Sequence, residues 1–343
     1  MNPQQAIGKL LEGKSLAGGE AEFVMRAVME GQATPAQIGA ILVLLRQRGE
    51  TVEEIAGFAR VMREKALRVR VPGSVVLDTC GTGGDGTGTF NISTLAAIVA
   101  AAAGVRVAKH GNRSVSSRVG SEDLLEAVDV RIDLPPGADE DCLRDTSFGF
   151  LFAPLHHGAM KHAAGPRKEL GQRTVFNVLG PLTNPAGATH QLMGVYAATL
   201  VPKMVEVLRV LGTRRALVVH GADGLDEISP TGPTTVAELR DGKIDLQTWQ
   251  PEDAGLRRCA LDDLRGGSLE ENVAIAIRVL DGEPGPRQDA VALNAGAALF
   301  VAGASGDLWK GVQDARLLLE SGIARAKLRE VAGYTQRVAP TAP

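Results

Sequence analysis

The sequence predicts an α/β protein with a small N-terminal all-helical domain and a larger α/β domain, whose central sheet is mostly parallel and flanked by helices. Capped, amphipathic helical segments fill residues 1–70. From Val75 onward, short apolar strands alternate with helical stretches, which is typical of parallel sheets. The length of 343 residues exceeds the roughly 250–300 residues that one hydrophobic core supports, which favours two domains.

Two capped helices define the N-terminal block. Thr34-Pro35 combines an N-cap residue with proline at the first helical position, and apolar residues then recur on one face until Gly49. Thr51 and Glu54 form a capping box that opens the next helix. Proline and glycine within residues 71–73 end the block before the first strand.

The larger domain is predicted to contain four parallel strands, a hairpin and several closing helices. The strands are expected at residues 75–79, 105–109, 149–152 and 216–220. Asp241-Gly242 joins two extended runs between Thr234 and Trp249, which indicates a β-hairpin. The closing helices are expected at residues 268–281, 287–303 and 311–330, with a loose tail behind them.

Composition narrows the class of protein. The net charge is -3, from 37 basic and 40 acidic residues, so we expect no nucleic-acid partner. Cys80, Cys142 and Cys259 form no C-x-x-C pair, which argues against a disulfide framework and a zinc site. The sequence shows neither a signal pattern nor an apolar run of about 20 residues, so we expect a cytoplasmic protein with no membrane partner.

A glycine-rich loop between a strand and a helix is the most informative segment. Residues 77–94 run from an apolar strand, through five glycines at positions 81, 83, 84, 86 and 88, into an alanine-rich helix that extends to Ala103. Asn91, Ser93 and Thr94 open that helix. Because unpaired amides at a helix N-terminus favour anions, the loop predicts a phosphate site.

Three other interpretations of the loop fit less well. The spacing at residues 81–86 matches a dinucleotide-binding fingerprint, which needs an acidic residue after the next strand, but Lys109 stands there. A Walker-type loop needs Lys followed by Ser or Thr after its last glycine, whereas Gly88 precedes Thr89. A merely tight turn does not explain five glycines in so short a stretch, since each costs backbone entropy.

A second polar segment follows the next strand. Residues 109–118 combine three cations, a histidine, three serine hydroxyls and an amide around Gly111. Such groups wrap phosphate closely. A solvated basic loop is the alternative, which the glycine loop one strand earlier makes the weaker one.

Asp226 and Glu227 follow the strand that ends at His220. Adjacent carboxylates beside a phosphate site would repel the substrate unless a divalent cation lay between them, and Mg2+ prefers oxygen ligands. An ordinary solvated turn is the alternative, because the preceding Asp223-Gly224 is a common turn sequence.

Several segments, in order along the chain, resemble signature sequences of the anthranilate phosphoribosyltransferase family. The likeness reaches from the N-terminal helices to about residue 300. The segments are Gly81-Thr82-Gly83-Gly84-Asp85, Asn91-Ile92-Ser93-Thr94, Lys109-His110-Gly111-Asn112-Arg113-Ser114, Asn177-Val178-Leu179-Gly180-Pro181-Leu182-Thr183-Asn184-Pro185 and Asp226-Glu227.

The resemblance implies a fold shared with nucleoside phosphorylases, with a substrate cleft between a helical and an α/β domain. It also implies a homodimer joined through the helical domain. The implied domains are residues 1–70 with a returning segment at about 165–187, residues 73–164 together with 188–335, and a tail at 336–343.

The family transfers the 5-phosphoribosyl group of phosphoribosyl diphosphate to the amine of anthranilate in tryptophan biosynthesis. That aromatic amine is neutral at pH 7, so the departing diphosphate is what needs stabilisation, and Lys109 is the candidate cation. By resemblance, the phosphoribosyl donor, phosphoribosyl diphosphate, is expected to bind at Gly81, Gly84, Asp85, Thr89, Asn91, Ile92, Ser93, Thr94, Lys109, His110, Gly111, Asn112, Arg113, Ser114, Val115, Ser116, Ser117 and Ser121.

The resemblance also implies a cofactor and an acceptor pocket. It implies Mg2+ as the cofactor, with Ser93, Asp226 and Glu227 as ligands. The anthranilate site is expected at Gly81, Asn112 and Arg167, whose guanidinium can pair with a carboxylate bidentately.

The acceptor pocket is also where the sequence departs from the family pattern. Gly158 stands where proline is usual, and Gly165-Pro166 precedes Arg167 in place of the usual proline and one further residue. These departures lie on the backbone that carries Arg167, so the acceptor pocket, more than the donor site, is where we expect this chain to differ from the family.

Two other functions stay open at the level of the sequence. A pyrimidine nucleoside phosphorylase of the same fold would bind free phosphate and a nucleoside without needing the acidic pair, so magnesium dependence separates the two enzymes. A non-catalytic nucleic-acid-binding relative would need a broad basic face, which the balanced charge disfavours.

Overall fold

Four helices build the N-terminal domain in this computed structural model, which describes residues 1–71, 73–112 and 119–338. Thr34 Oγ1 accepts the amide of Gln37 (3.3 Å) and Thr51 Oγ1 that of Glu54 (3.2 Å), so both predicted N-caps are confirmed. The helices are α1 (Pro3–Leu11), α2 (Gly18–Met29), α3 (Pro35–Arg48) and α4 (Val52–Lys65).

Seven strands of the second domain form one sheet. They are β1 (Leu77–Gly81), β2 (Val107–Gly111), β3 (Phe148–Phe152), β4 (His190–Gly194), β5 (Arg215–Gly221), β6 (Thr234–Arg240) and β7 (Lys243–Trp249). Their order is β3-β2-β1-β4-β5-β6-β7, in which the first five strands are parallel. The β6–β7 hairpin is antiparallel, and Asp241 and Gly242 have φ of 50° and 78° at its turn, as predicted.

Helices cover the sheet and connect its strands. They are α5 (Ile92–Ala102), α6 (Ser121–Ala127), α7 (Ala138–Thr146), α8 (Ala153–His156), α9 (Lys161–Leu170), α10 (Phe176–Leu179), α11 (Leu200–Val210), α12 (Leu269–Leu280), α13 (Pro286–Ala302), α14 (Leu308–Glu320) and α15 (Ile323–Arg337). None of the helices in the described ranges is long and apolar enough to cross a bilayer.

The structure differs from several of the sequence-based elements. Strand β4 was not predicted, because its sequence contains no β-branched residue. The single helix predicted at residues 311–330 is wrong: Gly322, with φ of 74°, separates α14 from α15. Strands β1 and β2 end two residues later than predicted, because Gly81 and Gly111 still pair with their neighbours.

The two faces of the sheet belong to different cores. Leu217 and Val219 of β5 pack with α5 and α13, whereas Ala216 and Val218 face the core that contains the N-terminal helices. Residues from Val175 to Leu182 also lie in that second core. This packing supports the predicted return of the chain to the helical domain, while the domain boundaries stay a prediction.

Candidate active site

The strand order creates a crevice between β1 and β4. The chain proceeds outward from β1 to β2 and β3 on one side, and from β4 to β5 on the other, and ligands bind at such a switch point. Gly81 and Gly194 are register partners at the carboxyl ends of the two strands. A Cβ atom on Gly81 would overlap the carboxylate of Asp226, and one on Gly194 would overlap the main-chain carbonyl of Asp226. The glycine pair therefore makes room for the acidic loop.

The glycine loop leaves β1 at this crevice. Gly83, Gly84, Gly86 and Gly88 have φ between 64° and 76°, a region that other residues rarely adopt. The amide of Gly83 donates to Asp226 Oδ2 over 2.7 Å. The loop then enters α5, whose positive N-terminal end faces the crevice. The predicted strand, loop and helix are confirmed as local structure.

Lys109 lies buried at the end of β2, with 2% of its surface exposed. Its Nζ donates to the Thr79 carbonyl over 2.5 Å and lies 3.4 Å from Ser93 Oγ in the first turn of α5. Burial lowers the pKa of Lys109, and the charge of Asp78 is the largest opposing effect. The structure thus fixes one cation between a strand end and the helix N-terminus.

A buried polar network supports this strand end. Asp78 accepts hydrogen bonds from the His110 amide (3.2 Å) and from Asn184 Nδ2 (2.8 Å). His110 Nδ1 donates to the Gly180 carbonyl over 3.2 Å. Burial raises the pKa of Asp78 to about 6 and lowers that of His110 to about 3, so this imidazole is neutral near pH 7.

The acidic pair faces the same crevice from the loop after β5. Glu227 Oε1 accepts the amide of Ser93 over 3.1 Å. Both carboxylates remain partly exposed, yet the dense protein around them disfavours their charge: desolvation raises the pKa of Asp226 to about 6, and Asp85 adds to the rise. Desolvation and then Asp226 raise the pKa of Glu227 as well. The negative charges of Asp85, Asp226 and Glu227 therefore repel one another, and a bound cation would reduce this repulsion.

The oxygen ligands available at this point fit magnesium. Asp226, Glu227 and the Ser93 hydroxyl supply oxygen ligands, which Mg2+ prefers. Among the described residues, no three His, Cys, Asp or Glu side chains form a complete metal site. Magnesium here would therefore complete its coordination with water and substrate oxygens, as it commonly does in phosphate sites.

Other predicted donor residues lie around the same loop. Thr89 pairs with Arg265 in an isolated bridge, and Asn91 Nδ2 donates to the Val119 carbonyl over 3.2 Å. The side chains of Ile92 and Thr94 are buried in α5. These two residues therefore face the protein interior with their side chains.

The end of β2 carries the second predicted phosphate segment. Gly111 ends the strand, and a Cβ there would lie 2.7 Å from Ser121 Oγ, which places the start of α6 against it. Asn112 follows Gly111 at the same edge of the sheet. The remaining predicted residues lie outside the described part of the chain: Arg113, Ser114, Val115, Ser116 and Ser117.

Arg167, the predicted acceptor residue, lies in α9. Its guanidinium carbon is 4.8 Å from the centroid of the Phe176 ring, and burial lowers its pKa. Pro166 lies inside the same helix, whereas Gly158 begins a short turn before it. Arg167 is thus half-buried in the returning segment, and its role toward anthranilate stays a prediction.

Sequence analysis assigned no role to three residues that build this site. Gly194 belongs to the strand that was not predicted, so nothing local marked it. Asn184 bridges Asp78 and the Ala108 carbonyl, each over 2.8 Å. Arg173 donates to the Gly84 carbonyl from the returning segment. The sequence offered a signal for Asn184 alone: Asp78 stands inside the apolar β1 strand, and a buried carboxylate needs hydrogen-bond partners.

Comparison with known protein families supports this architecture. Residues 4–66 match the family described as "Glycosyl transferase family, helical bundle domain", and residues 73–325 match "Glycosyl transferase family, a/b domain". The fold and the crevice therefore define a two-domain glycosyl transferase.

Individual relatives narrow the class further. The anthranilate phosphoribosyltransferase of Brevibacillus brevis is 56% identical over 328 residues, with 95% of this chain and 96% of that protein covered. The enzyme of the same name from Thermus thermophilus has a crystal structure with a TM-score of 0.92 at 49% identity, covering 96% of this chain and 99% of the other. The Saccharomyces cerevisiae enzyme, in complex with phosphoribosyl diphosphate (PRPP) and Mg, gives a TM-score of 0.89 at 28% identity, covering 97% of this chain and 98% of the other. This chain belongs to the anthranilate phosphoribosyltransferase family.

Proposed function

We propose that this protein transfers the 5-phosphoribosyl group of phosphoribosyl diphosphate (PRPP) to the anthranilate amine, giving N-(5-phosphoribosyl)anthranilate and diphosphate in tryptophan biosynthesis. Family membership supports this activity. Structures of the yeast relative are in complex with PRPP and Mg, and with 4-fluoroanthranilate. The arrangement of Lys109, Ser93 and the acidic pair around one crevice is the observation that carries the proposal.

The chemistry requires stabilisation of the leaving group more than activation of the nucleophile. The neutral aromatic amine attacks the anomeric carbon, and the bond to diphosphate breaks as negative charge develops on its oxygens. The new C–N bond leaves an extra proton on nitrogen, which passes to water or to the departing diphosphate. The ammonium of Lys109 would stabilise the charge on the diphosphate, and its hydrogen bond to the Thr79 carbonyl, which already holds it at the strand end, supports this role. When bound, Mg2+ would neutralise phosphate charge.

The chain's own residues divide the remaining work. The glycine loop and the start of α5 would bind the donor through main-chain amides. Ser93, Asp226 and Glu227 would hold magnesium beside it. Arg167 would pair with the anthranilate carboxylate from the returning segment. Neutral His110 supplies no positive charge near pH 7, and its ring is bonded to the Gly180 carbonyl, so its proposed part is to hold the end of β2 in place for the donor.

The assembly proposed is a homodimer joined through the helical domain. Leu11, Phe23 and Val43 lie on α1, α2 and α3 and are 70%, 40% and 46% exposed. The three side chains, if buried together against a second copy, would remove exposed apolar surface from water. Light scattering should give twice the mass of one chain, and Val43→Glu should shift it toward the monomer; a monomeric wild type would contradict the dimer.

The proposed location is the cytoplasm. Cys80, Cys142 and Cys259 are all free thiols, which suits a reducing compartment. Titration of the unfolded protein should yield three reactive thiols per chain, and a disulfide would contradict this location.

Anthranilate fluorescence provides the test of the activity. Its loss should require protein, PRPP and Mg2+ together, and should vanish in Asp226→Ala/Glu227→Ala. The exposed Asp245→Ala is the matched control and should behave as wild type. Phosphate-dependent cleavage of uridine or thymidine, without anthranilate consumption, would instead assign the protein to the pyrimidine nucleoside phosphorylases.

A further inference from the structure

The two ends of the glycine loop are anchored by hydrogen bonds to the α/β domain. The main-chain amide of Thr82 donates to the Gly194 carbonyl over 2.9 Å, and the amide of Gly83 donates to Asp226 Oδ2 over 2.7 Å. At the other end, the amide of Gly266 donates to the Gly88 carbonyl over 3.0 Å. The stretch between, residues 84–87, contains two of the left-handed glycines and would be costly to order without further contacts.

Arg173 supplies a contact to this middle stretch from the returning segment. Its Nη2 donates to the Gly84 carbonyl. Within the described ranges, residues 84–87 receive no other hydrogen bond from outside the loop; the remaining ones join Asp85 and Thr87 within it. Because a trans peptide holds its C=O and N–H on opposite sides, a Gly84 carbonyl turned toward Arg173 directs the Asp85 amide the other way.

Arg173 is itself fixed on both sides, although its side chain is exposed. Its main-chain carbonyl accepts from Arg46 Nη1 of α3 over 2.6 Å. Its guanidinium carbon lies 4.4 Å from the centroid of the Tyr196 ring, and the Tyr196 amide donates to Thr82 Oγ1 over 3.0 Å. An exposed arginine held by stacking loses less side-chain entropy when it forms a directed hydrogen bond.

We propose that Arg173 is a positioning residue that ties the middle of the glycine loop to the helical domain, and thereby orients the loop amides that receive the diphosphate of PRPP. This inference rests on the proposed function for its ligand. It assigns Tyr196 as the platform that holds the guanidinium in place. Arg173 acts on the donor through the loop, by a hydrogen bond to a carbonyl.

The first readout is hydrogen–deuterium exchange of the peptide that covers residues 81–90 in the ligand-free protein. Arg173→Ala should accelerate exchange there by about tenfold, the change expected when one charge-assisted hydrogen bond is lost. Tyr196→Leu should act in the same direction, and the double variant should add little to either single one. Arg209→Ala, which removes an exposed arginine that pairs with Glu206, is the control and should leave this peptide unchanged.

The second readout is the binding of PRPP with Mg2+, by calorimetry and by KM. Arg173→Ala should weaken donor binding about tenfold, with kcat and the KM for anthranilate changed by less than about threefold. Arg173→Lys keeps the charge but lacks the planar stack, so it should resemble Arg173→Ala in both readouts.

The outcomes separate this inference from the proposed function. Unchanged exchange at residues 81–90 in Arg173→Ala would overturn the positioning role. Weakened donor binding with unchanged exchange, or full rescue by Arg173→Lys, would also overturn it, since the charge would then act on the diphosphate directly. Failure of the wild type to bind PRPP would overturn the proposed function, while the exchange result would still report on the loop.

Discussion

The main-chain amide of Ser93 donates to Glu227 Oε1 over 3.1 Å, although 134 residues of chain separate the two. Ser93 lies in the first turn of α5, where the helix dipole favours a negative charge. Glu227 follows β5, on the other side of the crevice. This bond links the start of α5 to the acidic loop, so displacing one from the other would break it.

Replacement of Lys109 should slow the chemical step. One unit charge at 4 Å from a developing charge is worth about 4 kcal/mol at an effective dielectric constant near 20, which corresponds to roughly a thousandfold in rate. We expect Lys109→Met to lower kcat by about 100- to 1,000-fold at saturating substrates. Steady-state anthranilate fluorescence measures this.

The control for Lys109 is Lys243→Met, which removes an exposed lysine from β7 and should keep wild-type kcat. A thermal midpoint for Lys109→Met shows whether the fold survives. A folded Lys109→Met enzyme with kcat within about threefold of wild type would contradict the leaving-group role.

Replacement of Arg167 should weaken the acceptor more than the donor. Loss of a guanidinium–carboxylate pair costs about 1.5–3 kcal/mol, so Arg167→Ala should raise the KM for anthranilate by about 10- to 100-fold. The KM for PRPP should stay within about threefold. The neighbouring Lys168 is exposed on the same helix, and Lys168→Ala should leave both constants unchanged. An equal rise in the two KM values would place Arg167 outside the acceptor pocket.

A methyl group at Gly194 should disturb the acidic loop. It would overlap the Asp226 carbonyl, and overpacking of this kind typically costs about 1–3 kcal/mol. We expect Gly194→Ala to lower the thermal midpoint and to raise the Mg2+ concentration that gives half-maximal activity. Gly333→Ala is the matched change in α15, where the new Cβ would lie 3.5 Å from Arg337 Nη1 and should raise stability by up to about 1 kcal/mol. Equal stability of both variants would show that the Gly81–Gly194 crevice tolerates a side chain.

Asp139 should make stability depend on pH. Desolvation, and then the charge of Glu140, raise the pKa of Asp139 to about 7, well above its ordinary value of 3.8. The folded state therefore keeps a proton that the unfolded state releases. The stabilisation from that proton is complete below about pH 4 and is lost as the pH rises through about 7.

The comparison with Asp139→Asn isolates this effect. His156 Nδ1 lies 3.0 Å from the Leu67 carbonyl and donates to it, which leaves Nε2 as an acceptor 3.6 Å from Asp139 Oδ2. In the described part of the chain, His156 Nε2 has no hydrogen-bond partner at that distance, and asparagine keeps the shape of the protonated carboxyl group but does not ionise. In urea unfolding, the variant should gain on the order of 2 kcal/mol relative to wild type between pH 5 and pH 8. Parallel pH profiles of the two proteins would contradict the raised pKa.

Local patterns predicted much of the local backbone structure correctly. Four of the five glycines of the loop adopt φ between 64° and 76°, a region that other residues rarely enter, and Gly81 instead leaves room for Asp226. Capping residues such as Thr34 and Thr51 predicted helix starts, because a cap involves only neighbours in the chain. The Asp241-Gly242 turn predicted its hairpin for the same reason.

Interactions across the chain were beyond prediction. Strand β4 lacks β-branched residues and is specified by parallel neighbours on both sides. Gly194 has to be glycine because the Asp226 carbonyl lies against it, and Arg173 is placed by Arg46 and Tyr196. Each of these requirements comes from a residue in another element.

The sequence by itself determined the fold class, the glycine loop between a strand and a helix, the acidic pair and, through its resemblance to a family, the reaction. Those features are carried by residues close together in the chain, where spacing and residue type act directly on backbone geometry and charge. Only the tertiary structure decided that β4 lies beside β1, that Glu227 accepts the amide of Ser93 and that Arg173 bonds to Gly84. These contacts follow from how the sheet and helices pack, because packing joins residues that no local pattern relates.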